Sequence, residues 1–307
     1  MSKPIAIIAG EPNSVASEII FKSWRLRKKY THRPFFIIGS IDLLNLQKKK
    51  LNHQIKIKKI DDEFKIKDLK SNELPVYNVD YKSKRPFEKI TNKSNTFIEN
   101  SFRLAFKIIK KYKISKFING PISKKNFFNK KFLGVTEYIS KKFKIKKTCM
   151  LIYNKDLSVC PITTHLPLKL VAKKISKKAI IEKVSLIDSF YERKFNRKPK
   201  IAILGLNPHC ESVHRYDEDE KIIKPSVKYL NNKYNLSGPY SADTIFLKEN
   251  RKKFDVIIGM YHDQVLTPLK TLYEYDAINI TLGLPFIRIS PDHGPNESML
   301  GKNKSNP

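Results

Sequence analysis

Six short, β-branched apolar runs, at Pro4–Ala9, Pro34–Ile38, Lys116–Asn119, Leu157–Ile162, Lys200–Leu204 and Phe254–Met260, alternate with segments of helical periodicity along this chain. In Ser94–Tyr112 the apolar residues Ile98, Phe102, Ala105, Phe106 and Ile109 recur at the three-and-four spacing of one buried helix face. A second long helix is expected over Lys177–Phe195. Strand and helix in alternation predict the α/β class, a mostly parallel sheet flanked by helices. Between Ile55 and Arg85 the pattern loosens into short extended pieces around Pro75, which reads as excursion strands or an arm. A chain of 307 residues is long enough for two domains. The expected division is 1–130 with 278–307 as the first and 131–277 as the second, the boundary falling near Asn129–Thr136 and the return near Ile278.

Three histidines stand just beyond such runs: His165 closes Asp156–His165, His209 closes Lys200–His209 and His262 closes Phe254–His262. If the runs are parallel strands, the three imidazoles emerge along one edge of one sheet, where open α/β sheets gather ligands. A divalent cation takes neutral imidazole readily, and catalytic sites combine three protein ligands with an open position. No His-x-x-x-His spacing occurs, which excludes a helix-borne site. One histidine after a strand is more often a capping or core residue; three at equivalent places point to a metal site. The ion is open among zinc, cobalt, nickel, manganese and magnesium, because availability often decides. Cys210, beside His209, is a lesser candidate ligand and reads more readily as a buried thiol.

The net charge of +32 would attract nucleic acid or anionic membrane without specificity. Its texture argues against a dedicated nucleic-acid surface. Arginine, which reads phosphate and bases bidentately, supplies 10 of the 61 basic residues, and the lysines are spread in pairs along nearly every expected helix. What survives is the steering of phosphorylated, anionic substrates. No apolar run approaches the roughly 18 to 20 residues that a spanning helix needs, and the N-terminal apolar stretch is too short for a secretory segment. Cys149, Cys160 and Cys210 form no Cys-x-x-Cys pair and point to reduced thiols in a cytoplasmic protein. The ten glycines never form Gly-x-Gly, so the dinucleotide fingerprint and the phosphate loop are both missing, as is a Gly-x-Ser-x-Gly elbow. A nicotinamide cofactor would bind without the usual glycine turn.

After the third histidine come Asp263, Gln264 and Lys270, and further on Asn279, Arg288 and Asp292-His293-Gly294. Lys270 and Arg288 are suited to a phosphate or carboxylate, since charge-assisted bonds to such groups are worth roughly 1.5 to 3 kcal/mol each, although Lys270 reads equally well as one more surface lysine in a lysine-rich chain. Arg288 is the more telling, set among Phe286, Ile287 and Ile289 where a charge is costly unless paired. Thr136-Glu137 follows Gly134 at an expected turn into a helix, whose N-terminus presents amide donors to an anion, although capping explains Thr136 equally well.

Five blocks then stand out in order and spacing: Thr163-Thr164-His165-Leu166-Pro167-Leu168, Gly205-Leu206-Asn207-Pro208-His209, Gly238-Pro239-Tyr240-Ser241-Ala242-Asp243-Thr244, Met260-Tyr261-His262-Asp263-Gln264, and Asn279 through Arg288. With Gly10-Glu11-Pro12 and Asn119-Gly120-Pro121-Ile122-Ser123-Lys124 they cover nearly the whole chain. The set resembles the 4-hydroxythreonine-4-phosphate dehydrogenase family of vitamin B6 biosynthesis. That resemblance implies two α/β/α domains of the isocitrate/isopropylmalate dehydrogenase type with the active site in the interdomain cleft, and a homodimer whose subunits both line it. It implies that His165, His209 and His262 hold the divalent cation, His209 or His262 coming from the partner subunit, and that Thr136, Lys270, Asn279 and Arg288 bind the phosphorylated substrate. The implied reaction is NAD-dependent oxidation of the 3-hydroxyl of 4-phosphooxy-L-threonine, with NADP not distinguished, followed by loss of carbon dioxide to give 3-amino-2-oxopropyl phosphate.

A bound cation suits that chemistry as a Lewis acid, and the cofactor carries the hydride. The proton acceptor is open among Asp243, Asp263 and a metal-bound water, with Asp243 favoured. The chain departs from the family at Asn13-Ser14-Val15-Ala16-Ser17 and Cys210-Glu211-Ser212-Val213-His214-Arg215, loops that lack the usual glycines. It departs also at Val135, where a substrate-touching histidine normally precedes Thr136, and at Pro307, where the family generally continues into one more helix. Competing readings are a dehydrogenase of threonate or erythronate 4-phosphate, a non-catalytic basic nucleic-acid binder on the same fold, and an acyl transfer to phosphate of the phosphotransacetylase kind.

Overall fold

The computed structural model describes residues 3–30, 33–127, 132, 134–214 and 217–307; the boundary expected at 130–131 lies outside them. The strands, in chain order, are β1 Ile5–Ile8, β2 Phe35–Gly39, β3 Ile57–Ile60, β4 Leu74–Asn78, β5 Lys116–Asn119, β6 Cys149–Tyr153, β7 Ser158–Thr163, β8 Ile201–Leu204, β9 Leu236–Tyr240, β10 Val256–Tyr261, β11 Ile278–Leu282 and β12 Ile287–Ser290. The helices are α1 Ala16–Tyr30, α2 Ile41–Lys50, α3 Asn95–Lys111, α4 Lys124–Phe127, α5 Val135–Lys142, α6 Val171–Lys174, α7 Lys177–Phe195, α8 Lys224–Leu230, α9 Ala242–Ile245, α10 Lys248–Arg251 and α11 His262–Tyr273. Two compact units result, one of Met1–Val135 with Pro285–Pro307 and the other of Thr136–Leu284.

In the first unit the strands run β3-β4-β2-β1-β5-β12, every ladder parallel. Parallel strands covered on both faces are apolar at every position rather than alternating. β2, Phe-Phe-Ile-Ile-Gly, lies between β1 and β4 and is buried throughout. The stretch expected as excursion strands or an arm is regular sheet: β4 pairs with β2, and β3 closes the edge on β4. Lys58 and Lys59 hid β3 because an edge strand tolerates, and benefits from, charged residues that deter pairing with another chain. Of the face expected for α3, Ile98, Phe102 and Ala105 are fully enclosed and Ile109 is buried, whereas Phe106 is half-buried and Ile108, outside the expected set, is enclosed; the helix packs on β1 and β2. Phe102 meets Phe117 of β5 edge-on, ring centroids 6.2 Å apart. α2 starts where Ser40 caps it, its Oγ accepting from Leu43 N–H at 3.3 Å.

In the second unit the order is β11-β6-β7-β10-β8-β9. β6 runs antiparallel to both β11 and β7, while β7, β10, β8 and β9 are parallel. All six residues of β7 and all four of β8 are buried. α7 begins at Ser176, whose Oγ accepts from Ala179 N–H at 3.2 Å, and ends at Asn196 in the left-handed conformation, φ 52°. It packs on β6 and β7, and α11 packs on β7 and β10. Among the described residues no helix is long and apolar enough to cross a membrane. Phe102→Ala, which empties a fully enclosed aromatic position, is expected to cost about 3–5 kcal/mol, read as a lowered urea midpoint at unchanged slope.

Candidate active site

Because β7, β10, β8 and β9 are successive parallel neighbours, their carboxyl ends share one edge of the second unit. From that edge His165 follows β7, His262 opens α11 directly after β10, His209 sits in the turn after β8, and Asp243 lies in α9 just after β9. The rings of His165 and His262 stand 5.7 Å apart between centroids, inclined at 38°. His262 Nδ1 lies 2.7 Å from Asp263 Oδ1. A carboxylate on one ring nitrogen fixes the tautomer and turns the other nitrogen toward a metal, so this pair fits a divalent cation. Two expected ligands are thus brought together and the third is not: among the described residues no three His, Cys, Asp or Glu side chains of one chain converge on a common point.

Backbone conformation at the loops was not foreseen. His165 and His209 are left-handed, φ 44° and 57°, and Cys210 follows at 61°. Each such residue with a Cβ costs roughly 1–2 kcal/mol, and strain of this kind persists only where the surroundings over-determine it. Two acidic residues supply that constraint after β8. Asp219 is wholly buried at the head of a π-helical turn, Asp219–Ile223, and its carboxylate accepts from the backbone N–H groups of Leu206 and Asn207 at 2.8 and 2.9 Å and from Asn207 Nδ2 at 2.9 Å. Asp217 accepts from Ser212 N–H at 3.0 Å on the far side of the loop, and from the N–H groups of Asp219 and Glu220 at 2.9 and 3.1 Å. Their one sequence signal was an acidic cluster, Asp217 to Glu220, a short way past a histidine turn. Cys210 is buried, and that burial raises its thiol above the usual range, which disfavours the thiolate a metal needs.

The remaining candidates fall on different elements. Thr136 is the second residue of α5, and its hydroxyl lies 3.3 Å from that of Thr281 on β11. Asn279 shares a face of β11 with Thr281, two residues apart. Its side-chain Oδ1 is buried with no hydrogen-bond partner among the described residues, a deficit worth roughly 1–3 kcal/mol that a ligand would relieve. Lys270 is exposed on α11. In the first unit Arg288 is 2% exposed on β12, and the charge expected to need a partner donates from Nε to Asn119 Oδ1 of β5 at 2.7 Å.

At the carboxyl end of β1 the first unit holds one more unusual group. Gly10, φ 84°, lets the chain turn so tightly that an added Cβ would lie 2.5 Å from the Pro121 carbonyl oxygen, and Glu11 N–H donates to that oxygen at 2.8 Å. The Glu11 carboxyl is 1% exposed, and burial raises its pKa despite bonds from Ser94 Oγ and Asn13 N–H. The folded chain therefore holds this proton more tightly than the unfolded chain, so the contribution of Glu11 to stability is full at low pH and is lost as pH rises through and above the carboxylate range. Glu11→Gln is expected to gain stability relative to the wild type between about pH 4 and pH 7, measured as the difference of guanidinium midpoints; a difference that stays flat with pH removes the assignment.

A family model described as pyridoxal phosphate biosynthetic protein PdxA matches residues 31–307. The 4-hydroxythreonine-4-phosphate dehydrogenase of Sulfurihydrogenibium sp. is 38% identical over 309 residues, covering 99% of this chain and 94% of that one. The crystal structure of the 4-hydroxythreonine-4-phosphate dehydrogenase from Klebsiella pneumoniae is similar at a TM-score of 0.83 and 26% identity, over 99% of this chain and 95% of the other. A β-decarboxylating dehydrogenase from Thermococcus kodakarensis, 12% identical at a TM-score of 0.50 over 98% of this chain and 78% of the other, shares the fold. From the family match and the near full-length identity to a curated relative, the chain belongs to the pyridoxal phosphate biosynthetic protein PdxA family.

Proposed function

We propose that this chain oxidises the 3-hydroxyl of 4-phosphooxy-L-threonine with NAD, giving 2-amino-3-oxo-4-phosphooxybutanoate, which loses carbon dioxide to leave 3-amino-2-oxopropyl phosphate on the route to vitamin B6. The observation that carries the reading is the His165–His262 pair, backed by Asp263, at the carboxyl ends of adjacent parallel strands. His165, His262 and His209 hold a divalent cation in a homodimer whose active sites draw on both copies. A divalent cation held there would supply Lewis acidity at the substrate's hydroxyl and carbonyl oxygen, and a bound nicotinamide would supply the hydride acceptor.

The chain's own groups do the rest. Lys270 and Arg288 supply charge for the phosphate, Thr136 a hydroxyl, and Asn279 an amide whose unpaired oxygen gains a partner from substrate. Asp263 is engaged with His262 and orients it, which leaves Asp243, exposed on the same strand-end edge, to take the hydroxyl proton. Decarboxylation then breaks the C1–C2 bond, C1 leaving as carbon dioxide; the bond pair becomes the C2–C3 double bond as the carbonyl π pair moves to oxygen, and protonation at C2 restores the ketone. Val135, which opens α5 beside Thr136 with an apolar side chain, favours testing threonate and erythronate 4-phosphates alongside.

NADH formation from 4-phosphooxy-L-threonine is the direct assay. Chelation is expected to abolish it and added zinc or cobalt to restore it. His165→Ala and His209→Ala should each lower kcat by more than about 100-fold, beyond the range for loss of an outer partner; intact turnover in either overturns the metal assignment. Asp243→Asn should remove kcat across the pH range with little change in KM, whereas Asp263→Asn should weaken metal affinity first. A preference of more than tenfold in kcat/KM for threonate or erythronate 4-phosphate would reassign the substrate.

A further inference from the structure

Two histidine-bearing segments of the second unit are tied together by one peptide group. Gln264, in the first turn of α11, donates from Nε2 to the carbonyl oxygen of Gly205 at 2.8 Å and accepts at Oε1 from Met260 N–H at 2.6 Å. The N–H of the same Gly205–Leu206 peptide donates to Asp219 Oδ1 at 2.8 Å, and Gly205 N–H donates to the Tyr240 carbonyl of β9 at 3.0 Å. The side-chain amide has no alternative orientation, since one end faces a donor and the other an acceptor. Gly205 has no room to be anything else: a Cβ there would lie 2.7 Å from both Asp219 Oδ1 and Cys210 Sγ.

We propose that Gln264 and Asp219 are positioning residues that grip the Gly205–Leu206 peptide from its two edges and so set the His209 loop in register with the His262 end of β10. The arrangement accounts for a loop that keeps His209 and Cys210 left-handed in succession. Asp219 fixes the loop's entry through three bonds while Gln264 fixes that entry to β10 two residues before His262. A buried carboxylate facing three N–H donors, and a glutamine spanning two strand ends, transmit position without touching a reacting atom. This inference rests on the reading that His209 and His262 serve the reaction.

The test uses the full chain with cobalt(II) as the probe, in Gln264→Leu, Gln264→Glu, Asp219→Asn and the Gln264→Leu/Asp219→Asn double variant. Each single change is expected to weaken cobalt affinity and lower kcat about 10- to 100-fold with KM little changed, and to speed hydrogen exchange of the 205–212 segment. The double variant should lose less than the product of the singles, because either change alone releases the peptide. Gln264→Glu keeps the acceptor for Met260 N–H but sets a carboxylate oxygen against the Gly205 carbonyl, so it should behave like Gln264→Leu. Should Asp219→Asn fail to fold, the half-buried Gln264 variants carry the test. Variants that melt cooperatively yet keep wild-type affinity, kcat and exchange overturn the proposal, as do strictly multiplicative losses. If His209→Ala binds cobalt as tightly as the wild type, the metal reading fails instead, and exchange of the 205–212 segment still decides the clamp.

Discussion

Parallel pairing of β7, β10, β8 and β9 is the constraint on which the candidate site depends. Parallel strands all point one way, so residues that follow them in the chain, however distant in sequence, leave the sheet on one side. His165, His209, Asp243 and His262 are spread over nearly a hundred residues, and sheet topology alone makes neighbours of the turns that carry them. β7, β8 and most of β10 are buried, a firm base on which the turns after β7 and β8 hold left-handed residues.

That strain has visible support. Left-handed residues at His165, His209 and Cys210 are each unfavourable, and after β8 the opposing forces are named bonds: six to the carboxylates of Asp217 and Asp219, and two to Gln264. Buried carboxylates that accept several N–H bonds are well satisfied, whereas loss of one exposes donors with nothing to face. A rigid sheet edge, a strained turn and a buried acidic brace form one mechanical unit, distinct from the hydrophobic layer beneath it.

The large positive charge finds an ordinary place in the fold. The basic pairs gather in the last turns of helices, at Arg27, Lys28 and Lys29 of α1, Lys48 to Lys50 of α2, Lys110 and Lys111 of α3, and Arg193 and Lys194 of α7. There they meet the negative end of the helix dipole, each worth roughly 0.3–1 kcal/mol at low salt. Isolated ion pairs such as Lys107 with Asp62, at 2.7 Å on the surface, add little more.

Sequence by itself determined the α/β class, six of the strands, both long helices and the three histidines at strand ends, because hydrophobic periodicity and strand-end placement are local properties of the chain. It missed β6, β9, β11 and β12 and misread β3 with β4: β9 carries a Gly-Pro step and β3 an edge pair of lysines, whereas β6 is as apolar as β2 and β11 and β12 alternate with the strand period, so their signal was present but short. Only the tertiary structure decided that His165 meets His262 within one chain while His209 does not join them, that two of the three are left-handed, and that Arg288 bonds Asn119. It also revealed the brace of Asp219 and Gln264. Distances between side chains depend on strand order and loop conformation, which are set by the sum of non-local contacts, and no window of the sequence contains that sum.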